Sequence, residues 1–213
     1  MVHKGDYGLL TRPGKKDVRV ELKKRRFHWN LKNGAIAEVV FGRSSQKLWT
    51  YIYDPKQIQK FTGFRFYPFR AKAIVNARYK AHVPKAISYK TVQGDPRQVY
   101  SVGSLTFDLE GQRHKLTAYN WQDLDEKLKY IAVIFTDLKA GKETYGGGRE
   151  LAIPLKAELK DGDVVLVDFN RTQNFYCAHT PYWHCPTGLQ ENLLVAVNAG
   201  EMVPLKKIVS RKR

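Results

Sequence analysis

Turn signals recur at short, regular intervals between runs of alternating apolar residues, and this rhythm restricts what the chain can fold into. Gln93-Gly94-Asp95-Pro96 separates AISYKTV from RQVYSV. Glu110-Gly111-Gln112 separates SLTFDL from RHKLTAY, and Lys160-Asp161-Gly162 separates LKAEL from DVVLVDF. Strand–turn–strand units at this spacing predict a mainly β fold, an antiparallel barrel or sandwich. Val18–Leu22 alternates with period two, and Ile36–Phe41 follows the turn signal Asn33-Gly34; both read as strands. Tyr130–Phe135 is apolar without alternation, as in a strand buried on both faces. Helices are few. Residues 54–61 suit a short one, with Asp54 as N-cap and Pro55 in the first position. Asp123–Lys129 is the only other candidate, so one or two short helices are expected.

Charge divides the chain more clearly than composition does. The net charge is +17 over 213 residues, with balances of +6 in residues 1–30, +2 in 31–50 and +5 in 203–213. Only +4 remains for residues 51–202. The expected organisation is therefore a basic N-terminal extension (1–50) whose strands add to the core, a β-rich core domain (51–202) and a basic C-terminal tail (203–213). A nearly balanced middle with basic ends is the pattern of a globular domain whose arms meet a polyanion. The 43% of hydrophobic residues excludes a disordered chain. No apolar run reaches the length of roughly 18 residues that a membrane helix needs. The N-terminus has no signal-like apolar stretch, and two cysteines fit a reducing compartment; both point to the cytoplasm.

Two segments interleave cations with rings. Lys23-Lys24-Arg25-Arg26-Phe27-His28-Trp29 puts four cations before stacking-capable side chains. Gly63-Phe64-Arg65-Phe66-Tyr67-Pro68-Phe69-Arg70 has the same character, although a period-two strand here would bury alternate rings. Exposed rings beside Lys or Arg suit RNA, where stacking and phosphate contacts act together. The expected contacts are Lys15, Lys16, Arg19, Lys23, Lys24, Arg25, Arg26 and Trp29, with Lys206, Lys207, Arg211, Lys212 and Arg213 in the tail. The favoured expectation is thus a β-domain associated with RNA or a ribonucleoprotein, touching phosphates through its termini.

The alternative is an enzyme or a small-anion pocket. Gly146-Gly147-Gly148 before Arg149 is able to converge backbone N–H groups on an anion, though a tight turn or bulge between strands is the plainer reading of the glycines. Residues 168–192 concentrate polar groups. In this reading Glu143, Arg149, Asp168, Cys177 and Glu191 are catalytic, and Tyr145, Gly147, Gly148, Asn170, Asn174 and Asn192 bind the ligand. Cys177, His179, His184 and Cys185 have poor zinc spacing, so no metal and no cofactor is expected. Cys177 with His179 is a weak nucleophile pair. The plainer reading makes the cysteines small buried residues; a Cys177–Cys185 disulfide is sterically conceivable but disfavoured in a reducing compartment.

Taken in order, GFRFYPF (63–69), VGSLTFDLEGQ (102–112), FTDLKAGKETYGGGRELAI (135–153), DFNRTQNFYCA (168–178), CP (185–186), EN (191–192) and AGE (199–201) resemble domain of unknown function 1684. This bacterial and archaeal family has no established activity; the resemblance covers roughly residues 50–202 and implies a compact β-rich domain. Glu143, Tyr145, Gly147, Gly148, Arg149, Asp168, Asn170, Asn174, Cys177, Cys185, Glu191 and Asn192 match its motifs. The chain departs from the pattern at Lys139-Ala140, at Glu150 and His179 where the family has Tyr, at Phe175, and at Thr187-Gly188.

Overall fold

The computed structural model describes residues 2–4, 7–12, 15–21, 26–31, 34–42, 47–122, 124, 127–180 and 183–205. The chain forms two compact units, Met1–Phe61 and Thr62–Arg213. It is mainly β and antiparallel. Among the described residues no helix is long and apolar enough to cross a membrane.

In the first unit, β1 (Val2–Lys4), β2 (Tyr7–Arg12) and β3 (Lys15–Glu21) pair in sequence order as one three-stranded sheet. A second sheet joins β4 (Arg26–Asn30), β5 (Ile36–Gly42) and β6 (Lys47–Tyr53). Alternation along β5 buries Ala35, Ala37 and Val39 on one face. Glu38, on the other face, is buried as well. It accepts hydrogen bonds from the Tyr53 hydroxyl (2.8 Å) and Arg26 (3.3 Å) and lies 2.7 Å from His28 Nε2. The Tyr53 and His28 contacts hold its carboxyl below the usual carboxylate range. Helix α1 (Pro55–Lys60) follows, with the Asp54 side chain accepting from Lys56 N–H at 2.9 Å as the sequence predicts.

The second unit is built on a long hairpin, β7 (Ile74–Thr91) and β8 (Pro96–Leu109). It continues through β9 (Gln112–Asn120), β10 (Tyr130–Thr136), β11 (Arg149–Pro154) and β12 (Val164–Asp168). Three two-residue strands complete it: β13 (Gln173–Asn174), β14 (Pro186–Thr187) and β15 (Glu191–Asn192). The sheet runs β12-β7-β8-β9-β10-β11-β13, with β14 on β7 and β15 parallel to β10. Register shifts between Ala81 and Lys85 in β7, and between Ser101 and Gly103 in β8, break the hairpin into two limbs. One limb pairs with β12 and the other with β14. Gly103 leaves room for the Tyr79 ring, whose hydroxyl donates to the Val102 carbonyl at 2.6 Å.

The sheet is not closed into a barrel. Even so, Val165 and Val167 of β12 share one core with Leu151 and Ile153 of β11, five places along the path, together with Phe107, Phe135 and Phe169. Strands so far apart in order reach one core because the sheet curls around it. Strand β10 is fully buried from Ile131 to Phe135. Its Ile131, Val133 and Phe135 face that core, while Ile134 joins a second cluster with Val99, Tyr119, Phe175, Cys185 and Leu189. This matches its unbroken apolar run.

Three local expectations need correction. Residues 155–159 are not a strand, and β12 pairs with β7 rather than folding back on LKAEL. The 160–163 turn forms, but Tyr79 captures it: Tyr79 N–H donates to the Asp163 carbonyl and Gly162 N–H to the Tyr79 carbonyl. Leu155 and Leu159, four apart, pack on the core as partly buried residues. Residues 63–70 are extended without being a strand, and Phe64, Phe66 and Phe69 are exposed instead of alternately buried. Gly63 at φ +84° and Pro68 interrupt the segment, leaving an isolated bridge between Phe66 and Glu201. Within the second helix candidate, residues 124 and 127–129 are not helical; Asp123, Asp125 and Glu126 lie outside the described residues. Short 3-10 turns occur at Ala71–Ala73, Phe169–Arg171 and Tyr176–Ala178.

Candidate functional site

Arg149, at the start of β11, has 1% of its surface exposed. Its guanidinium donates to Asp137 (3.0 Å) and to the carbonyls of Ala199 (2.7 Å), Val197 (3.2 Å) and Glu201 (3.4 Å). It also lies 5.2 Å from the centre of the Phe135 ring. Burial pulls its pKa down, and Asp137 opposes that pull. Asp137 itself accepts from the Thr144 hydroxyl (2.7 Å) and Val197 N–H (2.9 Å). The fork of Arg149 therefore ties residues 197–201 to the core and is occupied by its own chain.

The glycine run beside it is a tight turn. Gly148 N–H donates to the Tyr145 carbonyl, and the Gly147 carbonyl accepts from Gln190 at 2.6 Å. A Cβ on Gly147 would stand 2.5 Å from the Tyr145 ring, and Gly148 has φ +99°. Tyr145 is half-buried, which raises its pKa.

The other expected site residues are held in separate places. Glu143 is exposed, accepting from Lys139 (2.8 Å) and the Tyr67 hydroxyl (3.0 Å). Lys139, then Tyr67, holds its carboxyl low, while burial and then Glu143 push Tyr67 up to about 12. Asp168 caps the Phe169–Arg171 turn and accepts from Asn170 N–H and Nδ2. The Asn170 amide in turn clamps the backbone of Arg70, accepting from its N–H and donating to its carbonyl. Glu191 accepts from Thr117 N–H and hydroxyl, bridging β9 to the β10–β15 edge, where the Thr136 hydroxyl donates to Asn192 Oδ1. Asn174 lies directly opposite Arg149 across β11 and β13.

Cys177 and Cys185 form a disulfide, a correction to their reading as unlinked buried thiols and to Cys177 as a nucleophile. A sulfur shared in this bond has no thiolate. The four side chains weighed for zinc separate accordingly: His179 is on Glu201 and His184 is on Asp95. Among the described residues no group of three or more His, Cys, Asp or Glu could hold a metal.

Asn174 leads to a feature that the sequence did not single out. A pocket of about 150 Å³ is lined by Phe64, Phe66, Gln173, Asn174, Tyr176, His179 and Glu201. Glu201 is 2% exposed. One of its carboxylate oxygens accepts from Asn174 N–H (2.8 Å) and the other lies 2.6 Å from His179 Nε2. Phe64 meets the His179 ring edge-on, with centroids 4.9 Å apart. Asn174 donates Nδ2 to the Met202 carbonyl (2.9 Å), while its buried Oδ1 has no hydrogen-bond partner among the described residues. The AGE motif at 199–201 was the only sequence signal for Glu201; His179 was weighed as a zinc ligand, as a partner of Cys177 and as a departure from the family, not as a partner of Glu201.

Of the expected nucleic-acid contacts, Lys23, Lys24, Arg25, Lys206, Lys207, Arg211, Lys212 and Arg213 lie outside the described residues. Lys15, Lys16 and Arg19 belong to β3 and Trp29 to β4. The Arg26 side chain is 64% exposed beside Glu38.

The model of the family "Protein of unknown function (DUF1684)" matches residues 59–202. The chain is also similar to an uncharacterised protein of Haloarcula marismortui, whose structure was solved by solution NMR. The two are 29% identical with a TM-score of 0.59, over 71% of this chain and 82% of that one. No curated protein matches. With a match across more than half its length, carried by the glycine–Arg149 turn, the Asp168–Asn174 block and the stretch that holds Glu201, the chain belongs to the DUF1684 family of proteins of unknown function.

Proposed function

We propose that this protein associates with RNA, directly or within a ribonucleoprotein, through its basic termini and a ridge of exposed rings. The exposure of Phe64, Phe66 and Phe69, at 56%, 50% and 70%, carries this reading. Three phenylalanines within six positions of one irregular segment make an exposed apolar surface. In a chain of net charge +17, a partner with flat apolar faces and a dense negative backbone fits best, and single-stranded RNA has both. Phosphate contacts supply most of the affinity and little sequence preference. On this reading its curled sheet is a partly open barrel.

The test is binding of a labelled, unstructured RNA oligomer to the full chain at about 50 and 200 mM salt. Affinity is expected to fall by about fiftyfold or more across that range if four or more phosphates are neutralised, given a slope of about −0.7 per single-strand contact. Replacing Lys23, Lys24, Arg25 and Arg26 together with Ala flattens the slope. Replacing Phe64, Phe66 and Phe69 with Ala weakens binding at every salt concentration, each lost stack costing about 1–3 kcal/mol, and leaves the slope unchanged. Undetectable binding, or an affinity indifferent to salt, overturns the reading.

A further inference from the structure

We propose that the pocket under Phe64 and Phe66 is a receptor for one unstacked nucleobase carrying an exocyclic amino group, taking adenine or cytosine in preference to uracil. The association with RNA in the preceding reading enters only as the source of that base. The pocket and its selectivity rest on their own geometry.

The floor is made of acceptors. Asn174 is 5% exposed and lines the cavity, and its Oδ1 is buried without a hydrogen-bond partner among the described residues. The bond from Nδ2 to the Met202 carbonyl fixes which way the amide faces, so the orphaned atom is an oxygen. A buried acceptor left unpaired is costly, and a ligand N–H recovers that cost. Glu201 beside it uses each carboxylate oxygen once, toward Asn174 N–H and toward His179, and each oxygen has capacity for a second donor. A ligand seated here must bring hydrogens.

The walls are rings. Phe64, Phe66 and Tyr176 are all at least half exposed, at 56%, 50% and 55%. Such surfaces gain most from a flat partner that covers them. At about 150 Å³ the space admits one small ring system rather than a chain of them. A small organic cation is the rival occupant, because rings and a carboxylate also suit it. Two observations disfavour it: Glu201 is already engaged by His179, and the chain as a whole carries +17. A neutral ring with an amino group satisfies the acceptors without bringing further positive charge. The two hydrogens of that amine can serve Asn174 Oδ1 and Glu201 together; uracil presents a carbonyl in its place and keeps the single N3–H, which can serve one of them.

The experiment titrates adenosine, cytidine, uridine and, separately, tetramethylammonium into the isotopically labelled full chain, following backbone amide signals by NMR. Neutral nucleosides avoid non-specific attraction of phosphate to the basic arms. The expected result is saturable shifts at residues 64–66, 173–179 and 201, with adenosine or cytidine at least about tenfold tighter than uridine. Asn174→Leu removes the orphan acceptor and abolishes that preference. Because this variant also loses the bond to Met202, Phe66→Leu serves as a second one; it trims an exposed ring and weakens both nucleosides several-fold in a folded protein. Equal binding of all three nucleosides, tighter uridine, tighter tetramethylammonium, or shifts confined to other residues overturns the proposal. RNA binding with no nucleoside in the pocket sinks this inference alone. Adenosine in the pocket without RNA binding supports it and sinks the RNA reading instead.

Discussion

Arg149 is the residue on which the second unit most depends. Its charge is removed from water and answered by one carboxylate and three main-chain carbonyls, an arrangement that is costly to half-dismantle. Arg149→Met would strand Asp137, and urea denaturation should show a loss of about 3–5 kcal/mol. Arg149→Lys restores little, since one ammonium cannot span four acceptors. Its neighbour Glu150 behaves oppositely. Burial raises its pKa, against the hydrogen bond donated by Trp121 Nε1 at 2.6 Å. A carboxyl raised in the folded state favours folding while protonated. That contribution is complete below the unfolded-state value and is lost as pH rises through the raised one. Glu150→Gln keeps an acceptor for Trp121 without the charge. Its melting temperature is expected to exceed that of the parent by about 2–4 °C at neutral pH, the gain vanishing near pH 4. A constant difference across that range would refute the assignment.

At the level of elements, the Cys177–Cys185 bridge fastens the Tyr176–Ala178 turn to β14, and β14 is paired to one limb of β7. With nine residues in the linked loop, chain-entropy reasoning gives roughly 2–3 kcal/mol for the cross-link. Denaturation with and without a thiol reductant should differ by that amount, and Cys177→Ser/Cys185→Ser should match the reduced protein. The hairpins and α1 were legible because their signals are local: Gly94, Gly111 and the Asp54-Pro55 pair each act within a few residues. The partner of β12 was not. Its turn suits either neighbour, and the contacts that decide come from Tyr79, more than 80 residues upstream. The 63–70 segment misled for a similar reason. Its alternation is that of a strand, but between Gly63 and Pro68 the pairing is confined to the bridge from Phe66 to Glu201.

Across the whole molecule, charge was readable and the site was not. Met1–Phe61 carries +9 in 61 residues against +8 in the 152 that follow, so under the proposed RNA association the salt dependence of binding should respond most to substitutions in the first unit. The candidate pocket draws on positions from 64 to 201, with no spacing to advertise it. Arg149 looked like an anion ligand because composition shows its charge but not that its acceptors are peptide carbonyls. Those carbonyls have a bearing on how the protein is made. Leu193, Val195, Val197 and Ala199 fill the core, and three of the four acceptors of Arg149 belong to residues 197–201. On the ribosome, β7 through β12 emerge long before the stretch that completes them. Until residue 201 clears the exit tunnel, the nascent sheet holds a guanidinium it cannot bury, and the second unit is committed to finishing its fold after that stretch has been translated.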